Sequence, residues 1–418
     1  MTRILHEEAE QSGASGTREP PWICFSGQDW WYHNRAHSDF QLVTRVAQRT
    51  RVLLVNSIGM RMPLPGRSNQ ALRRIGRKLR SLAKLVRRPL PDAPGFHVMT
   101  PLILPFYGIR WARRLNAWLV RKQVQAVARA VGIRDPVLFV TIPTAWEVAQ
   151  PMRRRALLYN RSDKHSEFVE ADQAVIRTLE RDLLEKADRV LYVSHTLLEE
   201  EHRYTGDRAR FLDHGVDLHH FARRPRSEPA DLRAIPKPRI GFFGTVRDNL
   251  VDLALLERVA RHFSEASLVI VGVATCSMSR FEELPNVHWL GFRPYAEVPD
   301  YGAAFDVALM PWLANEWIRC CNPIKLKEYL ALGLPIVSTD FPEVHRYAHV
   351  VRIAKTAEEF VELVRQSLRD GGLASPEERC TAVAGATWDA RAGDLLGIAR
   401  EAASRKSSGP ASRILQSR

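Results

Sequence analysis

The residues best suited to chemistry lie in one run, Cys321-Asn322-Pro323-Ile324-Lys325-Leu326-Lys327-Glu328-Tyr329. Asn is a good helix N-cap, and Pro fits the first helical position, where its missing N–H costs nothing. A helix opening there leaves the N–H groups of Ile324 and Lys325 unpaired and presents the positive end of its dipole. Such a terminus binds anions, and a diphosphate suits it. Lys325 adds a full charge at the same end, and Glu328, one turn on, shares its face. The pattern reads as a ruler: phosphate at the helix tip, then a carboxylate placed to accept hydrogen bonds from two sugar hydroxyls. A solvent-exposed ion pair has the same spacing, so spacing alone leaves both readings open. Gly333 is expected to end the helix in the left-handed conformation, with Pro335 preventing its continuation.

Weaker candidates precede this run. Ser26-Gly27-Gln28-Asp29-Trp30-Trp31 follows an apolar segment and sets small residues where a phosphate or an acceptor can approach; a plain tight turn is the alternative. His37 opens the next helical stretch and has the pKa to polarise or deprotonate a hydroxyl near neutral pH, against an ordinary helix-start role. Asp163 and His165, in Asn160-Arg161-Ser162-Asp163-Lys164-His165, follow another apolar run. They are candidates for the same cleft, unless Asp163 merely caps a helix.

These residues need a scaffold that gathers several loops at one edge. Apolar runs at 22–27, 51–57, 97–104, 136–143, 156–160 and 189–194 alternate with helical periodicity at 37–49, 69–86, 110–131 and 169–187. Continuous apolar strands separated by helices predict a parallel sheet buried on both faces. After the proline- and charge-rich stretch 225–238 the pattern restarts. Strands are expected at 239–245, 267–272, 286–291, 306–311, 335–339 and 350–354, and helices at 251–263, 322–333 and 356–370. A capping box is expected at the last, with Thr356 at the N-cap and Glu359 at N3. The fold class is α/β, with two Rossmann-like domains facing each other across a cleft. The expected organisation is a disordered tail (1–20), an N-terminal domain (21–210) completed by a C-terminal helix (387–404), a C-terminal domain (211–386) and a second disordered tail (405–418).

Composition narrows the function. Lys plus Arg number 61 against 47 Asp plus Glu, a net charge of +14 that favours an anionic partner. Between Arg67 and Arg88 there are cations but no acidic residue, with Leu72, Ile75, Leu79, Leu82 and Val86 at helical spacing. That predicts an amphipathic basic helix able to lie on an anionic membrane surface, and a second cationic helix, Arg110 to Arg129, adds to it. Nucleic acid is disfavoured, because the cations are not interleaved with aromatics and no recognition module appears. The five cysteines are scattered, with neither a disulfide framework nor a zinc pattern, and no metal is expected. Lacking a signal peptide or a membrane-length apolar run, the protein is expected in the cytoplasm, peripheral to the cell membrane.

The run Asn322-Pro323-Ile324-Lys325-Leu326-Lys327-Glu328-Tyr329-Leu330-Ala331-Leu332-Gly333-Leu334-Pro335 resembles the donor-site signature of GT-B glycosyltransferases, in particular the family 4 group. Supporting pieces fall in order: His214-Gly215-Val216-Asp217, Arg239 to Thr245, and Leu284 to Gly291. Glu180, Ala187-Asp188 and Val193-Ser194 match a weaker pattern in the N-terminal half. The chain looks closest to transferases that build bacterial surface polysaccharides.

The resemblance implies that Glu328 binds the donor ribose and that Asn322, Pro323, Ile324 and Lys325 sit at the diphosphate. Gly27, Gly244 and Thr245 would let backbone approach it, and Arg247 would add a phosphate ligand. His37 and Asp163 are the catalytic candidates on the acceptor side. One departure stands out: the glutamate that often precedes the second by eight residues is Cys320 here, and Glu316 lies twelve before.

The expected activity is transfer of a sugar from a nucleoside-diphosphate sugar, UDP- or GDP-linked, to a hydroxyl of a glycan or lipid-linked acceptor. No cofactor is expected, and the resemblance implies retention of configuration. A nucleotide-sugar epimerase on the same fold and a non-catalytic scaffold derived from a transferase are the alternatives.

Overall fold

The computed structural model describes residues 19–32, 36–58, 85–103, 110–167 and 172–407. The first sheet contains β1 (Trp22–Phe25), β2 (Val52–Val55), β3 (Val86–Arg87), β4 (Phe96–Met99), β5 (Val137–Val140), β6 (Ala156–Arg161), β7 (Arg189–Tyr192) and β8 (Ala209–Phe211). Their order is β3-β4-β2-β1-β5-β6-β7-β8, with β3 antiparallel to β4 and the other pairs parallel. Alternate residues of β1 enter opposite cores. Ile23 and Phe25 pack with α2 (Arg110–Ala130), α3 (Gln173–Lys186) and α4 (His195–Thr205). Trp22 and Cys24 pack with α1 (Ser38–Val46) and the C-terminal helix. Burial on both faces is why these strands read as unbroken apolar runs.

The second sheet contains β9 (Arg239–Phe243), β10 (Ser267–Val271), β11 (Val287–Gly291), β12 (Val307–Met310), β13 (Ile336–Thr339) and β14 (Arg352–Ala354). All are parallel, in the order β11-β10-β9-β12-β13-β14. Helices α5 (Leu253–His262), α6 (Ile324–Ala331) and α7 (Ala357–Asp370) flank it, and α8 (Trp388–Ser407) returns to the first sheet. Trp388, Ala392, Leu395 and Leu396 of α8 share a core with Trp22 and Phe40. The chain thus passes between the domains twice, and the two passages are paired through Val216 N–H donating to Ala386 O at 2.7 Å.

Strand order reverses between β1 and β5 in one sheet and between β9 and β12 in the other. Loops diverge at such points and open a crevice at the carboxyl ends of the strands. Contacts between the domains come from those ends: Trp317 Nε1 reaches Asp163 Oδ1 at 3.4 Å, and His195 N–H donates to Glu343 Oε1 at 2.6 Å. The two carboxyl edges therefore meet.

Several local expectations need correction. Strands β3 and β8 are too short to show alternation and escape a sequence reading. The basic stretch 67–88 lies outside the described residues up to 84; Val86 and Arg87, expected to end a helix, pair with Met99 and Val98 instead. Glu19 and Pro20 are held by the Thr50 hydroxyl, and α8 runs through Ser407, supported by an Arg405–Glu401 ion pair at 3.0 Å. The rest of both expected tails lies outside the described residues. The Thr356 hydroxyl caps α7, but Glu359 reaches back to Lys355 N–H instead of the cap's own N–H. A complete capping box forms at Ser375 and Glu378.

Candidate functional site

Helix α6 lies between β12 and β13 in the chain and packs Tyr329 against Phe243 at the end of β9. The Tyr329 hydroxyl accepts the Phe243 N–H at 2.9 Å, fixing the helix to the end of β9. Gly333 closes the helix at φ +73°, as its position after the apolar run predicts. The start differs from expectation. Pro323 occupies the N-cap with extended backbone, the helix begins at Ile324, and no side chain caps it. Asn322 is drawn into the domain junction, where its amide donates to Val193 O at 2.7 Å and Asp213 Oδ1 at 2.8 Å. Two strong acceptors behind the helix outcompete capping. Among the described residues nothing accepts from the Ile324 and Lys325 N–H groups, so the terminus stays open.

The Lys325 ammonium lies beneath the loop that follows β9. It sits 4.5 Å from the Phe242 ring centroid and 4.7 Å from that of Trp312. A Cβ on Gly244 would come within 2.4 Å of Lys325 Nζ, and Gly244 holds φ +134°. The dihedral favours glycine, and the short distance shows how closely Lys325 lies under this loop. Removal from water lowers the Lys325 pKa to about 8, with Glu328 opposing the shift. Burial raises that of Glu328 to about 7, with Lys325 opposing. Among the described residues the Glu328 carboxylate accepts no hydrogen bond. A buried carboxylate and a half-buried ammonium, one turn apart, are thus both left short of polar partners. Such an arrangement costs stability unless a ligand completes it.

The other candidates fall into three places. Thr245 and Arg247 are exposed on the loop after Gly244, and the Arg247 side chain makes no hydrogen bond or ion pair among the described residues. Asp163, after β6, faces helix α6 from the first domain: burial raises its pKa, and it acts electrostatically on Cys321, which in turn acts on Lys325. It caps no helix. Gly27 and His37 belong to the first domain's own crevice. Gly27 N–H donates to Thr141 Oγ1 at 3.0 Å, and the Ser26 hydroxyl donates to buried Asp39 Oδ2 at 2.5 Å. His37 is the N-cap of α1 without a side-chain cap bond, its ring 6.0 Å from that of Phe40. The structure therefore gathers Gly244, Lys325, Glu328, Cys321 and Asp163, while Gly27 and His37 stand on the first domain's carboxyl edge, where Ile324 at the start of α6 packs against the cluster that contains Trp30 and Phe40.

Residues given no role in the sequence reading, Lys327, Asp213, Arg346 and Arg161, position this group. Lys327, fully buried, donates to Asp213 Oδ1 at 2.9 Å and Asn322 Oδ1 at 3.3 Å, and Arg346 pairs with Asp213 Oδ2 at 2.9 Å. Arg161 is buried between Glu180 and Glu201 and donates to Asp163 O at 2.8 Å, steering the loop that carries Asp163. Glu180 is thus a positioning residue. The signal for Lys327 was present, because a lysine among Leu326, Tyr329 and Leu330 on a buried helix requires a partner. Cys320 is buried with its Sγ 3.8 Å from Glu316 Oε1. Glu316 is occupied by Arg319 and by Lys164 at 2.6 Å, so its carboxylate is spent on the domain interface. Hydrogen bonds from Arg319 lower its pKa to about 2.

Residues 237–370 match the sequence profile of the family described as glycosyl transferases group 1. The putative teichuronic acid biosynthesis glycosyltransferase TuaH of Bacillus subtilis (strain 168) is 30% identical over 198 residues, 45% of this chain and 48% of that protein. The chain thus spans about half the length of this curated relative in the match. Among solved structures, sucrose-phosphate synthase from Thermosynechococcus elongatus superposes with a TM-score of 0.65 at 16% identity, covering 91% of this chain and 98% of its own. Anabaena HepE in complex with UDP-glucose gives 0.57 at 14% identity, covering 93% and 100%. The two-sheet fold is the GT-B fold of these structures, and the profile match falls on its second sheet.

Proposed function

We propose that this protein transfers a glycosyl group from a nucleoside-diphosphate sugar to a hydroxyl of a glycan or lipid-linked acceptor, in cell-surface polysaccharide biosynthesis. One observation carries the reading: the open start of α6 and the Lys325 ammonium under Gly244, with an unpartnered Glu328 carboxylate one turn on. The N–H groups of Ile324 and Lys325 and the Lys325 charge would hold the diphosphate, with Arg247 joining from the loop. As the bond from sugar to phosphate breaks, charge grows on the departing diphosphate and meets these fixed donors. That neutralisation works without a metal. Glu328, ionised above about pH 7, would accept the ribose hydroxyls. Asp163 would meet the acceptor from the other domain; its raised pKa suits a group that exchanges a proton.

The complexes of HepE with UDP and UDP-glucose favour a uridine donor, and the name of TuaH favours a surface-polysaccharide acceptor. A lipid-linked acceptor requires the protein to work at the cytoplasmic face of a membrane, and the cationic excess fits peripheral binding there. No helix among the described residues is long and apolar enough to cross a membrane. Cys320 in place of the first glutamate favours a second reading, a nucleotide-sugar-binding scaffold without turnover.

Thermal shifts with UDP-, GDP- and ADP-sugars test the donor site, because a ligand that binds only the folded state stabilises it by about 2.7 kcal/mol at a hundredfold excess over Kd. Lys325→Ala and Glu328→Ala should each abolish the shift while the free protein stays folded. An undiminished response in both would defeat the assignment. Release of sugar or nucleotide in the presence of donor then separates enzyme from scaffold.

A further inference from the structure

Helix α2 is apolar on an outward stripe as well as on its inward face. Ala112, Asn116, Val120 and Val124 face the core, while the outward stripe opens with Trp111, Leu115 and Trp118, exposed by 64%, 41% and 48%. Single exposed apolar residues are ordinary, but large apolar side chains at i, i+4 and i+7 on one outward face form a patch. Leu102, 46% exposed, is pinned to the same helix further along, where Gln123 accepts its N–H at 2.8 Å and donates to its carbonyl at 2.9 Å.

The charge around the patch selects its occupant. Helix α2 contains no acidic residue, and its exposed cations are Arg114, Lys122 and Arg129. A tryptophan combines a large apolar ring with a polar N–H and prefers the boundary between water and hydrocarbon. Flanking cations are attracted to anionic headgroups. A protein partner of the same shape would need carboxylates matched one to one, whereas a bilayer offers a continuous field to any rotation of the helix.

Position gives the patch a use. Helix α2 follows β4 and precedes β5, so its first turns lie at the carboxyl edge of the first sheet. Arg113 Nε binds Glu147 Oε1 at 2.9 Å, tying these turns to the segment that continues from Thr141, the residue that holds Gly27. The aromatic end of the stripe therefore adjoins the acceptor side of the cleft.

We infer that the outward face of α2, Trp111, Leu115 and Trp118 with Arg114 and Lys122, is an insertion surface for an anionic bilayer, which sets the acceptor crevice at the lipid boundary. The inference rests on the membrane part of the reading above and is independent of the donor assignment.

Co-sedimentation of the full chain with phosphatidylglycerol–phosphatidylethanolamine vesicles, against pure phosphatidylcholine, tests it. Wild-type protein should prefer the anionic vesicles. Trp111→Ala/Trp118→Ala and Arg114→Glu/Lys122→Glu should each weaken that binding about tenfold or more, with unchanged circular dichroism and nucleotide response. Quenching of tryptophan fluorescence by brominated lipid should fall sharply in Trp111→Phe/Trp118→Phe. Absence of any anionic-vesicle preference overturns both the membrane reading and this surface. Vesicle binding indifferent to the substitutions overturns the surface alone. A dimer that dissociates on Trp111→Ala/Trp118→Ala assigns the face to self-association and likewise overturns it.

Discussion

Lys325 and Lys327 stand two residues apart on one helix, one half-buried and one fully buried, yet their surroundings are opposite. Lys327 is enclosed by Asp213 and Asn322, with Arg346 on the other carboxylate oxygen of Asp213. Its charge is answered within the protein, and it joins the second domain to the passage leading out of the first. Lys325 has two aromatic rings, a glycine and a distant carboxylate, and among the described residues its ammonium makes no hydrogen bond or ion pair. A buried charge with partners builds structure; one without them waits for a ligand. Sequence spacing cannot tell these lysines apart.

The largest expected effect breaks the satisfied side. Lys327→Met leaves Asp213 with only part of its compensation and should cost about 3–5 kcal/mol, read as a lowered melting temperature, whereas Lys325→Met should cost nothing. Equal losses from the two would erase the distinction.

Next comes Glu328→Gln. The folded-state pKa of about 7 lies above the ordinary value of 4.5, so the folded state holds this proton more tightly than the unfolded chain. Stability from this group is fully present below the unfolded value and is lost as pH rises through about 7. At about pH 8 the Gln variant should be more stable than wild type by ~1–3 kcal/mol, with the gain fading toward pH 4.5 while the nucleotide response is lost. A destabilised variant at that pH would mean that Glu328 has partners of its own.

A gentler probe is the pH profile of nucleotide binding. Affinity should peak between about pH 7 and 8, decline below as Glu328 takes a proton, and decline above as Lys325 releases one, by at most about tenfold per unit on each side. A profile flat across that range would remove these two groups from the binding step.

The smallest effect belongs to the rim of the domain contact, where Glu200 meets Arg319 in the open. Glu200→Gln should change stability by less than about 1 kcal/mol, and less still at high salt. A larger loss would move weight from the buried junction to the rim.

How far the fold was legible follows from burial. Strands such as Val52–Val55 and Val137–Val140 are covered on both faces, so their sequences are unbroken apolar runs with helices between them. The two-residue strand at Val86 and the three-residue strand at Ala209 carry no period to read. In the site, Lys325 and Glu328 were found because they share a helix, where spacing fixes geometry. The reach of Asp163 toward Cys321 and the withdrawal of Asn322 from the cap depend on residues from the other domain, and the enclosure of Lys327 depends on Asp213, far earlier in the chain.

The sequence by itself determined the two sheets, the helix that begins beside Pro323, and the charge and carboxylate one turn apart on it, because these follow from local periods and from the backbone of a helix start. Only the tertiary structure decided which polar groups are answered. A hydrogen-bond partner is a matter of distance in space, and the segments that supply or withhold one here lie a hundred residues or more away along the chain.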